Sequence, residues 1–456
     1  MASSIGETLD RRGIDRVFFA ALVVGTLLRL LPLAIWPEES CVRDECSYIR
    51  IAEKIAEGRG MTAYGGWLWA PGYPTWLAIH KIVTGWCSPA KLTQVAVSGL
   101  NTLLVFQLAS RIGGIRAARF AVWFYALSPS LVFYAISLWS ETLYTTFFLG
   151  TFLALDHVRR DERFWPTLVL GALAGLLVLF RGIALYMIPI WAVGVLWGRW
   201  RERRAWASAL VAVATAVLTV APYSAMISDR YQAPIVSDRT LGQMMWLGNN
   251  DFDPITFDYG GPLAARRFNY IETLGRPPCA PRMEAIARDD CMTTEGFDWI
   301  EAHPIEFLFR APERVAQMLT PHSLFTRHLR WGSWRGLPPF LMEVIITWSA
   351  AMSVMAMLGG AVGLVLWAEG ALGATFLGVA LYNVAAIAAL AGLSRYRAPL
   401  EPILAIYCGM LLPIAQSRAR ARAVPWRGVL AVAVFLTLVP LVLWYLPSGW
   451  PKWRSW

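Results

Sequence analysis

Apolar runs close to 20 residues long recur along most of this 456-residue chain, and they limit its fold more than any motif does. About 20 consecutive apolar residues are needed for an α-helix to cross the hydrocarbon core of a bilayer. The composition agrees, because 57% of the residues are hydrophobic and only 16% are charged. The sequence therefore predicts an all-α polytopic membrane protein and excludes a soluble enzyme.

Arginine clusters between the apolar runs indicate the orientation of the chain, since short cytoplasmic connections are enriched in Lys and Arg. We expect five clusters to be cytoplasmic: Arg11, Arg12 and Arg16; Arg111, Arg116 and Arg119; Arg159, Arg160 and Arg163; Arg199, Arg201, Arg203 and Arg204; and Arg418, Arg420, Arg422 and Arg427. This orientation predicts eleven crossings, within a range of 11 to 13, near residues 17–36, 92–111, 116–135, 138–157, 166–183, 184–199, 205–227, 341–367, 371–392, 397–416 and 427–447. The odd number places the N-terminus inside and the C-terminus outside.

Two apolar segments need separate treatment. The first run contains Arg29, and no small-residue cleavage site precedes Glu38, so it is predicted to be an uncleaved helix rather than a signal peptide. Residues 71–85 are also apolar, but the parity of eleven places them on the outer side as a juxtamembrane or re-entrant segment. If they do cross, one helix elsewhere is misassigned.

The two longest connections, 37–91 and 228–340, fall on the outer face, where a polar backbone can fold outside lipid. The predicted organisation is a transmembrane core over 1–227, which includes the first outer loop, a large outer loop over 228–340, and C-terminal helices over 341–456. We expect both loops to carry juxtamembrane helices and to build the site together.

Five of the six cysteines also fall outside, which allows disulfides. Cys279 and Cys291 lie within one loop and are the favoured pair, whereas Cys41 could pair with either Cys46 or Cys87. No CxxC and no His pair at ligand spacing accompanies them, so no metal site is indicated. The sequence predicts no definite cofactor and leaves a divalent metal ion open.

Charged and aromatic residues from distant segments converge on the outer face. They are Asp44 and Glu45, Tyr48, Lys81, Glu141, Arg181, and the run Arg395-Tyr396-Arg397. Charge this close to a membrane is costly unless it has a role. Each residue alone is equally consistent with an interfacial anchor or with an ion pair that satisfies a neighbour. Together they favour a functional site.

Clustered arginines at a membrane surface suit the phosphate of an anionic lipid whose tail stays in the bilayer. Arg29, Arg181, Arg395 and Arg397 are the candidates, and structural pairing of the last three with Glu141 or Glu401 is the alternative. A nearby carboxylate could act as general base on an acceptor hydroxyl while the cations stabilise the departing phosphate. The pattern indicates group transfer from a lipid phosphate.

The chain resembles the GT-C integral-membrane glycosyltransferases of the protein O-mannosyltransferase and lipid A aminoarabinose transferase type. Five patches carry the resemblance: Asp44-Glu45 with Tyr48 and the following Ile-Ala and Gly-x-Gly; Ala70-Pro71-Gly72-Tyr73-Pro74; Ser128-Pro129-Ser130 through Ser140-Glu141; Trp246-Leu247-Gly248-Asn249-Asn250; and Ser394-Arg395-Tyr396-Arg397-Ala398-Pro399 with Pro402. Tyr73, Asn249 and Asn250 become site candidates through these patches.

The resemblance implies a polyprenyl-phosphate sugar donor, an outward-facing cavity, inversion at the anomeric carbon, and a lipid, glycan or protein acceptor. It implies that Asp44 is the catalytic residue and that Glu45 completes the acidic pair, and it implies a bacterial inner membrane with the site facing the periplasm or exterior. The chain ends at Trp456, soon after its last predicted helix. The C-terminal soluble domain of several family members is therefore expected to be missing.

A transporter and a membrane scaffold are two other functions open to a chain with this many apolar helices. A lipid or solute transporter or flippase also places charges among many helices, but the sequence shows no two similar halves, and its charges gather at one face. A non-catalytic membrane scaffold explains the helices but not the convergence. The net charge of +10 does not indicate nucleic acid, since orientation accounts for most of the arginines. The expected partners are the donor, the acceptor and membrane lipids.

Overall fold

The computed structural model describes residues 15–36, 41, 44–63, 67–161, 163–250, 279, 283–321, 324–330, 334 and 336–443. It is 82% helical and, within these ranges, has no strand. The helices are α1 Arg16–Ile35, α2 Asp44–Ala56, α3 Gly72–Thr84, α4 Ala90–Leu127, α5 Pro129–Ile136, α6 Glu141–Arg160, α7 Trp165–Phe180, α8 Ile188–Leu196, α9 Arg203–Tyr231, α10 Leu241–Gly248, α11 Ala285–Ala302, α12 Pro304–Leu319, α13 Leu324–Arg330, α14 Pro339–Val354, α15 Gly360–Trp367, α16 Gly370–Ala389, α17 Glu401–Gly409, α18 Ile414–Ala423 and α19 Pro425–Leu443. Short 3₁₀ turns cover Gly182–Met187 and Ser394–Arg397, and a π turn covers Met355–Gly359.

Six helical stretches in the described part of the chain are long and apolar enough to cross a membrane: α1, α4, α9, the continuous run Pro339–Trp367, α16 and α19. Two shorter apolar helices, Trp165–Phe180 and Gly182–Leu196, accompany them. The predicted fold class, an all-α polytopic membrane protein, is confirmed. The number of eleven crossings stays a prediction.

Helix α4 contains the break that the sequence analysis placed between two crossings. Gly114 has φ 73° and ψ −176°, a conformation that glycine adopts without the steric cost of a side chain. The second half ends at Leu127, because Ser128 is extended ahead of Pro129, which begins α5. The prediction of one uninterrupted helix over 116–135 is therefore wrong.

The predicted helix over 397–416 is also wrong as a single element. The 3₁₀ turn Ser394–Arg397 leads into α17, which has only nine residues and a proline in its first turn. Nine residues span about 13.5 Å, well short of a bilayer. Helix α17 is instead a buried core element, in which Ile403, Ile406 and Tyr407 are fully covered.

Helix α3 occupies the segment predicted to lie on the outer side. It has 13 residues, or about 20 Å of helix, and ends at Gly85 in the left-handed conformation. It packs against α2, which follows the first crossing. These two short helices make up most of the described first outer loop.

The second outer segment packs on the first through an apolar cluster that contains Trp67, Trp246, Leu247 and Met292. Helices α10 and α11 approach closely at Gly242, where an added Cβ would lie 2.1 Å from the carbonyl oxygen of Asp289. Residues 251–278 and Trp456 lie outside the described residues. The domain boundaries and the outer position of the C-terminus stay predictions.

Candidate active site

Helix α2 begins at Asp44 and carries Glu45 in the same first turn. A carboxylate at a helix N-terminus is favoured by the helix dipole, so this local arrangement explains why an acidic pair starts the helix. A disulfide joins Cys41 to Cys46, with 5.1 Å between their Cα atoms. The bridge spans the start of the helix, and Asp44 and Glu45 lie inside its ring. Of the two partners left open for Cys41, the structure selects Cys46, and Cys87 is a buried free thiol.

Asp44 is paired with Arg395, whose Nη1 lies 2.5 Å from its Oδ2. The pair is half-buried, with 28% of the Asp44 side chain and 15% of the Arg395 side chain exposed. The Nε atom of Arg395 lies 3.9 Å from Oε1 of Glu141. One guanidinium thus lies between two carboxylates from distant segments.

Glu141 begins α6 and is 1% exposed, and its Oε1 accepts a hydrogen bond from Nη2 of Arg181. Arg181 ends α7 in an extended conformation, with φ −154° and ψ 114°, which turns the chain into the following 3₁₀ turn. The side chains therefore alternate in sign in the order Asp44, Arg395, Glu141 and Arg181. We call these four residues the ion-pair cluster; its formal charge is zero.

Aromatic rings enclose the two arginines of the cluster. The guanidinium of Arg395 lies 5.2 Å from the ring centre of Trp139 and 5.7 Å from that of Tyr396, and the guanidinium of Arg181 lies 5.1 Å from that of Tyr144. These separations fall within the range of cation–π attraction. The rings hold the cations in place without neutralising them.

A narrow cleft with a cavity volume of about 30 Å³ lies beside Arg181 and Tyr396. Its other walls are mainly apolar and come from α6, the 3₁₀ turn before α8, α16 and the segment before α17: Tyr144, Phe148, Ile183, Met187, Asn383, Ala386, Ile387, Pro399 and Leu400. The cleft therefore brings the guanidinium of Arg181 next to a mainly apolar lining.

Two of the predicted arginines lie away from the cluster. Arg29 is buried and donates to the carbonyl oxygens of Gly25, Tyr125 and Ala126. Arg397 is 2% exposed and donates to Glu401 Oε1 at 2.9 Å and to the hydroxyl of Ser353. It also donates to the carbonyl oxygens of Met318, near the end of α12, and of Thr320, just after it. Both guanidiniums therefore form hydrogen bonds with buried groups inside the helix bundle.

Glu45 is 7% exposed. Its Oε1 accepts a hydrogen bond from the backbone N–H of Leu138 at 2.7 Å. That segment leads directly into Trp139 and Glu141. Glu45 therefore ties α2 to the backbone that carries two residues of the site.

Two predicted tyrosines, Tyr48 of α2 and Tyr73 of α3, pack against each other between these helices. Their rings meet edge to face at 5.0 Å, and the Tyr73 hydroxyl donates to Gln94 Oε1 at 2.5 Å. Lys81 lies further along α3, 5.6 Å from the ring of Trp86. The structure does not bring Lys81 into the cluster.

The two predicted asparagines support the outer loop. Asn249 donates to the carbonyl oxygens of Met245 and Ala389 and accepts from Arg314 at 2.8 Å. Asn250 donates to the carbonyl oxygen of Trp246 at 2.7 Å. These contacts fix the end of α10 against the end of α16.

In its described part, the second outer segment contacts Tyr396 through the sulfur of Met244. The hydroxyl of Tyr396 lies 3.2 Å from Sδ of Met244. We expected both outer segments to build the site together, and in the described part the ion-pair cluster itself takes only Asp44 from them. The remaining members come from helix ends and a 3₁₀ turn.

Trp139 and Tyr144 were not predicted as site residues. Both lie within three positions of Glu141, which ends the family-like patch that begins at Ser128, so the neighbours of Glu141 in the sequence could have indicated them. Within the described ranges, no group of three or more His, Cys, Asp or Glu side chains could hold a metal ion. The disulfide Cys279–Cys291 lies in the outer loop, with 5.8 Å between Cα atoms.

A scan against protein-family models found no match, and a search of curated proteins found none either. Solved structures do match. The apo crystal structure of the oligosaccharyltransferase of Archaeoglobus fulgidus aligns with 95% of this chain at 12% identity and a TM-score of 0.50. The same archaeal enzyme, AglB, in complex with an inhibitory peptide and a dolichol-phosphate, aligns with 93% of the chain at 14% identity and a TM-score of 0.50.

The alignments cover 55% and 54% of the archaeal protein, so the chain spans about half the length of the enzyme that it matches. ArnT from Cupriavidus metallidurans, bound to undecaprenyl phosphate, aligns with 86% of this chain and 77% of its own, at 15% identity and a TM-score of 0.41. AglB is a glycosyltransferase of the GT-C superfamily. At these identities the likeness is one of fold. The chain has the fold of the archaeal oligosaccharyltransferase over most of its own length, and the resemblance noted in its sequence is confirmed at the level of the fold.

Proposed function

We propose that this chain is a glycosyltransferase that moves a sugar from a polyprenyl-phosphate donor to an acceptor hydroxyl at the outer face of the membrane, with inversion. The observation that carries the proposal is the ion-pair cluster, whose Arg181 also lines the mainly apolar cleft. A lipid phosphate needs both parts, guanidinium groups for its headgroup and an apolar surface for its chain.

Arg181 and Arg395 bind the donor phosphate. Both guanidiniums can present paired N–H donors, which suit phosphate oxygens. Arg181 lines the cleft directly, and the isoprenoid chain extends along the apolar residues contributed by α6 and α16. The complex of AglB with a dolichol-phosphate supports this class of donor.

Asp44 is the general base. Phosphate binding at Arg395 replaces one anionic partner of that guanidinium with another, which releases the Asp44 carboxylate from its ion pair. The freed carboxylate takes the proton of the acceptor hydroxyl while the oxygen forms a bond to the anomeric carbon. The bond from that carbon to the phosphate oxygen breaks on the opposite side, and its electron pair leaves with the phosphate.

The two arginines also accelerate bond cleavage. A sugar phosphodiester carries one negative charge, and the lipid phosphate that leaves carries a second. Cations that contact the phosphate are therefore attracted more strongly to the transition state than to the ground state. Glu141 is the positioning residue, because it lies between both arginines and is almost fully buried.

Arg29, Arg397 and Glu45 are assigned structural roles in this proposal. Each is buried and hydrogen-bonded to backbone atoms, so none is available to a ligand without breaking the packing of helices. The oxidised cysteines support a location facing an oxidising compartment, such as the periplasm or the exterior. The acceptor is a hydroxyl of a lipid, a glycan or a protein.

A donor panel tests the proposal. The purified full chain is incubated with radiolabelled polyprenyl-phosphate sugars, and release of polyprenyl phosphate is measured with and without a crude envelope fraction as acceptor. We expect one donor to be consumed by the parent and none by Asp44→Asn. Movement of an intact donor across vesicle membranes without cleavage would instead identify a flippase and overturn the proposal.

A further inference from the structure

A second groove lies at the opposite end of the bundle from the ion-pair cluster. Helix α6 connects the two ends. It begins at Glu141, in the ion-pair cluster, and one turn before its end Asp156 pairs with Arg111 at 2.8 Å. Fifteen residues of helix span about 22 Å. Arg111 lies just before the break at Gly114, and the groove opens just after it.

The groove is open and has a volume of about 440 Å³. Its walls come from the second half of α4 and from the turn between α17 and α18: Arg116, Arg119, Phe120, Trp123, Leu412 and Pro413. Two arginines therefore lie beside two aromatic rings and two apolar residues. Tryptophan with arginine is the combination that membrane proteins place at the level of lipid headgroups.

One of the arginines is held in a fixed position. Nε and Nη2 of Arg119 both lie 3.1 Å from Oδ2 of Asp15, and the other oxygen of Asp15 accepts the N–H groups of Val17 and Phe18 at the start of α1. Asp15 is 3% exposed, so this anchor is part of the interior. The remaining nitrogen, Nη1, is not used by the pair.

The charge around the groove is positive. Arg116 is exposed, and no residue in the described ranges pairs with it. Helix α18 continues from Pro413, contains no buried residue, and carries Arg418, Arg420 and Arg422. Among these three, the ion pair in the described part of the chain is that of Arg420 with Glu369.

We propose that this groove binds an anionic glycerophospholipid of the leaflet opposite the active site. Arg116 and Arg119 contact the phosphate of the headgroup, and Phe120, Trp123 and Leu412 contact the glycerol and the first acyl carbons. Basic pockets between transmembrane helices bind anionic headgroups by this chemistry. A zwitterionic lipid lacks the net charge that the arginines select. The site is independent of the proposed glycosyltransferase activity.

Native mass spectrometry of the detergent-purified full chain tests the site, with phosphatidylglycerol and phosphatidylcholine as the two probes. Arg116→Gln should weaken phosphatidylglycerol binding about fivefold, the effect of one basic residue near a membrane surface. Arg163→Gln is the matched control, because Arg163 is exposed in another predicted cytoplasmic connection and does not line the groove. It should change binding less than twofold.

Equal losses in the two variants would reduce the effect to general surface charge and overturn the site. Equal binding of phosphatidylcholine and phosphatidylglycerol by the parent would also overturn it. A photoactivatable phosphatidylglycerol bound to the unmutated chain gives a readout that does not depend on a variant folding. It should label peptides that contain Trp123 or Leu412, and labelling confined to other segments would exclude the groove.

Discussion

The Nη1 atom of Arg395 lies 2.5 Å from Oδ2 of Asp44, although 351 positions separate the two residues in the sequence. The residue proposed to bind the donor phosphate thus restrains the residue proposed to act as base. An anion that competes for the guanidinium releases the carboxylate. In the proposed mechanism, donor binding therefore precedes deprotonation of the acceptor.

Asp44→Asn should remove nearly all sugar transfer while retaining donor binding. Loss of a general base costs about 10²–10⁴ in rate. The variant should bind polyprenyl phosphate at least as tightly as the parent, because Arg395 then lacks a competing carboxylate. Turnover and lipid-phosphate affinity are measured on the same preparations. Glu53→Gln, on the same helix and paired with the exposed Arg50, is the control and should behave as the parent. Turnover of Asp44→Asn within a few-fold of the parent would remove Asp44 from the mechanism.

Arg181→Ala and Arg395→Ala should each weaken binding of polyprenyl phosphate by about 10–100-fold, because each removes a charge-assisted hydrogen bond worth about 1.5–3 kcal/mol. Equilibrium binding in detergent with a labelled lipid phosphate measures the change. Arg50→Ala is the control, since its side chain is 63% exposed and its ion pair in the described part of the chain is with Glu53. Unchanged affinity in both site variants would contradict the assignment of the phosphate site.

Arg397→Ala should destabilise the fold although it lies two positions from Arg395. It leaves Glu401 as an unpaired carboxylate that is 2% exposed, a change that costs about 3–5 kcal/mol. Thermal unfolding in detergent should show a large fall in Tm for Arg397→Ala and little change for Arg395→Ala. The double change Arg397→Met with Glu401→Gln should recover much of the loss, because it removes both charges. A parental Tm for Arg397→Ala would contradict this structural role.

Asp289 should make the contact between α10 and α11 dependent on pH. Burial raises the pKa of this carboxyl from 3.8 to about 6, against the opposing effects of the Gly242 N–H and Arg239. The folded state then binds the proton more tightly than the unfolded state does, so the stabilisation is complete below pH 3.8 and is lost as pH rises through about 6. Hydrogen exchange, corrected for intrinsic rates, should show α10 better protected at pH 5 than at pH 7.5. Asp289→Asn should abolish this difference, and Asp290→Asn, whose side chain is 58% exposed, should retain it.

The sequence alone predicted the helical membrane fold and proposed Asp44, Glu141, Arg181 and Arg395 as site residues, since intramembrane charge is rare and its position along apolar runs is readable. It could not separate Arg395 from Arg397. The two belong to one 3₁₀ turn, and their directions depend on carbonyl oxygens of Met318 and Thr320, almost 80 positions earlier. Such long-range partners leave no local pattern.

The prolines and the asparagines show two further limits. Pro402 lies in the first turn of α17 and Pro413 precedes α18, but hydrophobicity continues through both, so the apolar run is predicted as one crossing. Asn249 and Asn250 lie in a patch that resembles a family motif, whereas their side chains are occupied by backbone carbonyls and Arg314. Resemblance located the patch but not the direction of its side chains.

Because Asp44 lies between Cys41 and Cys46, the disulfide that joins them makes the position of its carboxylate sensitive to the redox conditions around the protein. A thiol-reducing compartment would open the six-residue ring that contains Asp44 and Glu45, while the rest of α2 would keep its packing on α3. Before this disulfide forms, the chain therefore has its helices and its arginines, but the segment that carries Asp44 lacks the covalent constraint. Under the proposed location, oxidation of Cys41 and Cys46 follows export and fixes the start of α2, where Asp44 meets Arg395.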